Sequence, residues 1–346
     1  MKTMALTGLR RLSMLDAPEP VLTREADVLL RLTAIGVCGS DIHYYTTGKI
    51  GSQVVRFPFR VGHECAGVVE KIGRAVTGLK PGDRVAVDPA MWCGVCDQCR
   101  AGRFNTCRRL LFLGCPGQAE GCLCERLVMP AASCFKVPDG MSDELAALIE
   151  PLTIGVYAVA RATPLAGAAI GILGSGPIGL SVLLAARAAG ARAVYVTDKI
   201  DARLRAAAGA GAGWTGNPDR GDVVAAVAKA EPPLLDCVFE CCGQQEALDQ
   251  AVRLLKPGGT LMMVGIPAVD RVSFEIELLR RREIRLQNVR RQNEKVPETI
   301  RLVESGALKP GFMVTHRFPF SETPAAFDLV DSYSDGVVKA MIHFNE

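Results

Sequence analysis

Between residues 165 and 290 the chain alternates short apolar, β-branched runs with helix-patterned segments, a rhythm that admits few folds. Strand patterns fall at 168–173, 193–197, 234–240, 260–264 and 284–289, and helical patterns at 178–189, 201–208, 222–230 and 245–255. Each helix would return the chain across a sheet to begin the next strand in the same direction. The pattern therefore predicts an α/β unit built on a doubly wound parallel sheet. The uncharged run 162–186 is long enough to be tested as a membrane span. Pro164, Pro177 and five glycines interrupt it, so a strand, a tight turn and a buried helix fit it better.

That turn reads Gly174-Ser-Gly176-Pro177-Ile178-Gly179, after an apolar strand and before a helix, with Asp198 closing the next strand 19 residues after Gly179. Gly174 permits a tight turn, Gly176 lets a pyrophosphate approach the backbone, and Gly179 lets helix and strand pack closely. Free N–H groups at the helix start then favour phosphate oxygens. Asp198 is expected to accept hydrogen bonds from the adenosine ribose and to repel a 2′-phosphate, which favours NAD over NADP. Lys199 and Arg203 soften that preference, and Arg203 is counted with the cofactor-binding residues. Cys241, Val264 and Gly265 end later strands, where the carboxyl edge of such a sheet lines the ligand crevice. For Cys241 and Cys242 a role as small buried hydrophobes competes with any chemical one.

The first 150 residues have a different texture, with strand-like runs at 28–34, 67–72, 84–87 and 127–129 punctuated by turns at 80–83 and 138–140. The tail after about 295 adds a helix at 297–305 and a strand at 338–343. Lys+Arg 40 against Asp+Glu 37 leaves +3, too small and too evenly spread for a nucleic-acid-binding protein. Arg10 and Arg11 arrive before any apolar stretch long enough for a signal peptide, so no secretion or membrane signal is expected.

Thirteen cysteines is an odd number, which excludes a fully paired disulfide scaffold and points to metal ligation or free thiols. Cys93, Cys96, Cys99 and Cys107 are spaced C-x2-C-x2-C-x7-C. Four thiolates at such separations can enclose a tetrahedral zinc ion with no position left for water, a purely stabilising site. An iron–sulfur centre is the rival for this spacing.

A second group is dispersed. Gly36-Val-Cys38-Gly-Ser40-Asp41-Ile-His43 places a thiol, a hydroxyl, a carboxylate and an imidazole together. Gly62-His63-Glu64 adds nitrogen and oxygen donors, and Ala147-Leu-Ile-Glu150-Pro151 a further carboxylate. With Tyr44-Tyr45, Glu150-Pro-Leu152 and Val314-Thr-His-Arg-Phe318, these motifs resemble the zinc-dependent medium-chain alcohol dehydrogenases, and among them the sorbitol (polyol) dehydrogenases. The similarity runs from about residue 25 to the C-terminus.

The resemblance implies a GroES-like, β-rich catalytic domain formed by 1–153 and 295–346, around a Rossmann domain at 154–294. Cys38, His63 and Glu64 match the catalytic zinc positions, and Glu150 matches a further carboxylate beside the metal. One thiolate, one neutral imidazole and one carboxylate neutralise Zn²⁺ without excess. Glu64 and Glu150 are therefore expected to alternate as ligands, or one of them to act through water. Asp41 is expected to orient His63 through its other ring nitrogen. The implied cofactors are one catalytic and one structural zinc, with NAD. The implied reaction oxidises a secondary hydroxyl of a polyol to a ketose, with Ser40 passing the proton to His43 or to water at Glu150.

Tyr44, Phe112 and Arg290 match substrate-contacting positions. Arg291 stands where the family has tyrosine, Tyr157 where it has histidine, and the loop 292–296 is one residue longer. A guanidinium there could bind a carboxylate or phosphate on the substrate, or be solvated or meet a neighbouring subunit. The Arg280–Arg282 cluster reads as a solvated helix end. The alternatives are an L-threonine dehydrogenase-like enzyme, a sugar-phosphate or sugar-acid dehydrogenase, and a catalytically silent cofactor-binding protein. Ser40 and Glu150-Pro-Leu152 argue against the first. The intact set Cys38, Ser40, His63 and Glu64 argues against the last. A cytoplasmic homotetramer with a small-molecule substrate, and neither nucleic acid nor membrane as partner, completes the expectation.

Overall fold

The strand Asp27–Gly36 is buried at every position but Arg31, and the first unit is built outward from it. It pairs antiparallel with Glu64–Ile72 along one edge. Its other edge is shared by Arg126–Pro130, over its first half, and by Lys339–His343, over residues 34–36. Arg84–Val87 and Cys134–Lys136 extend the sheet on one side, and Val314–Pro319 runs parallel to Lys339–His343 on the other, making seven strands. A strand covered on both faces is nearly continuous in apolar residues rather than alternating. Two registers matter for chemistry. Gly36 lies opposite Glu64 on one neighbour and Met341 on the other, so sequence-distant residues meet at the end of this strand.

The computed structural model describes residues 1–344, in two units. The first comprises Met1–Glu150, Val296–Glu304 and the chain from Val314 on; the second comprises Pro151–Lys295 and Ser305–Met313. The dividing point at Glu150–Pro151 falls inside the helix Asp143–Arg161, where proline has no N–H to give to the ladder. The first unit also holds an N-terminal hairpin, Lys2–Gly8 with Arg11–Asp16, that the strand patterns did not indicate.

In the second unit six parallel strands lie in the order Trp214–Gly216, Ala193–Thr197, Ala169–Leu173, Leu235–Glu240, Leu255–Met263, Arg285–Asn288. The chain starts in the middle, winds outward one way, then returns and winds outward the other way. The direction therefore reverses between Ala169–Leu173 and Leu235–Glu240, and the carboxyl ends of those two strands open a crevice. Leu173, Val238, Leu248, Val252 and Leu261 are among the residues of its core. Most edges fall within two residues of the sequence reading, although Leu255–Met263 begins well before residue 260. The run 162–186 resolves into a strand, a turn at Gly174 and the buried helix Pro177–Ala188. Among the described residues no helix is long and apolar enough to cross a membrane.

Candidate active site

At the crevice of the second unit, Gly174 has φ +94°, and a Cβ there would press on Cys242. A Cβ on Gly179 would overlap the carbonyl oxygen of Gly174, so the helix can start this close to the strand only with glycine. Gly176 is the N-cap and Pro177 the first residue of the helix, followed by Ile178. Asp198 is tied to this turn. Its Oδ2 accepts the Ser175 N–H at 2.7 Å and the Ser175 hydroxyl at 3.2 Å, and its Oδ1 accepts the Ile200 N–H at 2.8 Å. Arg203 is buried, its guanidinium near Gly176. The Cys241 N–H donates to Leu173 O at 2.8 Å, and the N–H groups of Val264 and Gly265 both donate to Glu240 O at 2.9 Å. Gly174, Cys241, Val264 and Gly265 are thus brought together at the strand ends. Burial pushes the Cys242 thiol up to about 12, and the Cys241 thiol also rises well above its usual value through burial, so neither is a ready thiolate.

In the first unit the four cysteines of the C-x2-C-x2-C-x7-C loop converge, their sulfurs all within 4.8 Å of one another. Cys96 Sγ lies 3.5 Å from Cys99 Sγ and 3.9 Å from Cys107 Sγ, and Cys93 and Cys99 are 4.0 Å apart. A tetrahedron with metal–sulfur bonds of about 2.3 Å has edges of roughly 3.8 Å. The four sulfurs fit one tetrahedral ion, whereas a multi-iron cluster would hold them farther apart. The N–H groups of Cys93 and Arg109 donate to Cys107 Sγ at 3.3 and 3.4 Å.

The dispersed group also converges. One ligand atom each from Cys38, His63 and Glu64 lies within 4.8 Å of the other two. Cys38 caps the helix Gly39–Thr47, and Asp41, in its first turn, reaches back to brace the group. Asp41 Oδ2 accepts the Cys38 N–H at 3.2 Å, while Oδ1 accepts the Gly62 N–H at 3.0 Å and lies 3.4 Å from His63 Nδ1. That placement leaves Nε2 as the ring's free donor atom. Burial opposes a charge on His63, but Asp41 and Cys38 outweigh it and raise its pKa well above the usual histidine range. A cation bound at the ring would displace that proton. The Ser40 hydroxyl donates to Cys38 Sγ at 3.4 Å.

Glu150 stands outside the convergent trio. Its Oε2 is buried with no hydrogen-bond partner among the described residues, and burial pushes its carboxyl up to about 7, with Glu64 and Asp88 also raising it. One sulfur, one nitrogen and one oxygen donor is a donor set that suits zinc and leaves it open to a further ligand. His43 is half-buried, and burial lowers its pKa.

The residues expected at the substrate differ in setting. Phe112 packs against His63, ring centroids 5.3 Å apart. Tyr44 is buried, its hydroxyl 3.1 Å from Gln53 Oε1 and 3.8 Å from Cys115 Sγ. Arg290 is exposed and Arg291 half-buried in the second unit, Arg291 at φ +53°. Within the expected solvated cluster, Arg280 and Arg281 pair with Glu277, but Arg282 bonds the carbonyls of Arg253 and Leu255.

One residue of the site escaped the sequence reading. Lys339 is buried, and its ammonium donates to Glu64 Oε1 at 2.8 Å, Glu64 Oε2 at 2.6 Å and Val37 O at 3.0 Å. A lone lysine inside the apolar run Val337-Val338-Lys339-Ala340-Met341-Ile342 was the available signal, because a cation buried there requires an anion.

Comparisons with known proteins agree with this chemistry. Residues 24–139 match the family model described as alcohol dehydrogenase GroES-like domain, and residues 177–305 the one described as zinc-binding dehydrogenase. The sorbitol dehydrogenase of Bacillus subtilis (strain 168) is 34% identical over 346 residues, covering 100% of this chain and 98% of that protein. The L-idonate 5-dehydrogenase of Vitis vinifera is 36% identical over 301 residues, 86% of this chain and 82% of that protein. A crystal structure of a putative zinc-binding dehydrogenase from Sinorhizobium meliloti 1021 bound to NADP superposes with a TM-score of 0.89 at 32% identity, covering 99% of this chain and 98% of that one. With both family models matched and a relative aligned end to end, this chain belongs to the zinc-dependent medium-chain dehydrogenases and is sorbitol dehydrogenase-like.

Proposed function

We propose that the protein oxidises a secondary hydroxyl of a polyol of the sorbitol, xylitol or iditol type to the corresponding ketose, with NAD as the oxidant and zinc at Cys38, His63 and Glu64. The observation that carries this reading is the convergence of those three donors, half-buried Cys38 with buried His63 and Glu64, braced by Asp41. When bound, zinc supplies a Lewis acid that acidifies a substrate hydroxyl, and NAD supplies the hydride acceptor. The residues of the chain bind, orient and move the proton. Asp41 fixes the ring of His63, and Phe112 packs on that ring and keeps water from it. The hydroxyl of Ser40, next to Cys38, takes the proton leaving the substrate and gives its own onward. His43 remains neutral near pH 7 because burial lowers its pKa, so it can receive that proton. Water at Glu150 is the alternative acceptor. The substrate thus loses one hydride and one proton, and a ketone results.

Asp198 accepts the N–H groups of Ser175 and Ile200 beside the glycine turn, and a carboxylate there supports NAD over NADP. Cys93, Cys96, Cys99 and Cys107 hold the structural zinc. By the family resemblance Tyr44 is assigned to the polyol, and in the second unit Arg203, Cys241, Val264 and Gly265 are assigned to the cofactor. A homotetramer is the assembly common in this family. Thirteen cysteines, all free, fit the reducing cytoplasm. A sugar acid is the second substrate reading, favoured by the identity with the Vitis vinifera L-idonate 5-dehydrogenase and by Arg291 in place of the family tyrosine. Initial rates with polyols, sugar acids, sugar phosphates and L-threonine, each with NAD⁺ and NADP⁺, test both. The main reading expects a polyol with NAD⁺ to give the highest kcat/KM, and a sugar acid at the top would replace it with the second.

A further inference from the structure

The Glu64 carboxylate is placed between two cations' worth of demand. On one side it converges with Cys38 and His63, its oxygen within 4.8 Å of a donor atom on each. On the other it accepts from Lys339 through both oxygens, at 2.8 and 2.6 Å. The third bond of that ammonium, to Val37 O at 3.0 Å, fixes it to the backbone. Both side chains are about 1% exposed, so water screens neither.

The arrangement is built by the sheet. Glu64, Gly36 and Met341 are register partners across three adjacent strands, and Lys339 begins the strand that carries Met341. Gly36 is required there, because a Cβ on it would overlap the Glu64 carboxylate. The Glu64 side chain thus crosses a gap that glycine leaves open and meets a fixed ammonium. Glu150, whose Oε2 is buried without a hydrogen-bond partner, feels the same ammonium through space, while the hydrogen bonds of that ammonium go to Glu64 and Val37.

We propose that Lys339 is a positioning residue that shares the Glu64 carboxylate with the zinc and so holds it as a weak ligand. The inference rests on the zinc assignment to Cys38, His63 and Glu64. An ammonium bound to both oxygens withdraws charge from the donor and repels a divalent cation beside it, and both effects loosen the metal. Removing the ammonium while leaving the carboxylate returns a full negative charge to the ligand. Lys339→Met therefore tightens the metal site instead of loosening it, the reverse of what loss of a merely structural lysine would do.

The test compares the holoenzyme with Lys339→Met, Lys339→Gln and Lys339→Arg, following transfer of zinc to an excess of a chromogenic chelator. The metal at the four cysteines provides an internal control. The expected result is that zinc release from the Cys38 site slows by about ten- to a hundredfold in Lys339→Met, the scale on which groups bonded to metal ligands alter metal affinity. Release from the cysteine site is unchanged, and Lys339→Arg restores the wild-type rate. With Co²⁺ in place of zinc at the Cys38 site, the visible d–d bands shift in Lys339→Met and return in Lys339→Arg. If Lys339→Met does not fold, Lys339→Gln carries the same comparison. Release that is unchanged or faster, release that alters equally at both metal sites, or unaltered cobalt bands would overturn the proposal. Cobalt bands that persist in Cys38→Ser would instead remove the zinc assignment beneath it.

Discussion

Glu150 illustrates how one buried side chain links stability to chemistry. Its carboxyl ordinarily titrates near 4.5 and is pushed by burial to about 7 in the fold. A carboxyl raised in this way favours the folded protein below pH 4.5, where both states are protonated. That contribution is lost as pH rises through 7, because the unfolded chain ionises first. Metal-free protein should therefore lose up to about 3 kcal/mol of stability between pH 4.5 and 7. Glu150→Gln should flatten that slope in urea titrations at several pH values, and an unchanged slope would show that the burial penalty is relieved elsewhere. The proposed function also assigns the cofactor choice to the charge of Asp198. Asp198→Ala should raise kcat/KM for NADP⁺ relative to NAD⁺ by more than about tenfold, the worth of one contact of 1.4 kcal/mol; an unmoved ratio would displace the ribose contact to another residue. Cys38, His63, Glu64 and Asp41 were legible because the motifs that carry them resemble those of a known family. Lys339 was not. Its role depends on strand register between residues 64, 36 and 341, which no local pattern records.

At the scale of elements, the cysteine loop is a short chain folded around four sulfurs rather than around an apolar core, with little regular structure beyond the turn Asp97–Arg100. Cys99→Ser should release one zinc per molecule and lower the Tm by about 5 °C or more, while NAD⁺ binding persists. Retention of all zinc would mean that these sulfurs hold no metal. The alternating strands and helices of the second unit were readable because parallel strands buried on both faces are continuous apolar runs, separated by amphipathic helices. Several elements escaped, among them a hairpin of the first unit and the helix that joins the two units. The hairpin Lys2–Asp16 has one mostly buried strand and one exposed strand, so neither alternates cleanly. The helix Asp143–Arg161 contains Pro151, which reads locally as an end rather than an interior position.

The whole molecule separates two tasks. The parallel-sheet unit presents glycine-edged strand ends and Asp198, while the antiparallel unit gathers Cys38, His63 and Glu64 from the strands and the helix that meet near Gly36. The C-terminal segments return to the antiparallel unit, so that residue 339 stands beside residue 64. Sequence order gives no direct sign of that closure, and only the resemblance of motifs at both ends of the chain suggested it. The account as a whole stands on one metal ion at that trio. Zinc per chain and polyol turnover, measured together on Cys38→Ser, address it most directly. The expected result is a protein that keeps the zinc at its four clustered cysteines, loses the other, still binds NAD⁺, and turns over polyol at less than about one-thousandth of the wild-type rate. A variant that retained both metals, or that oxidised polyols at an undiminished rate, would contradict the account.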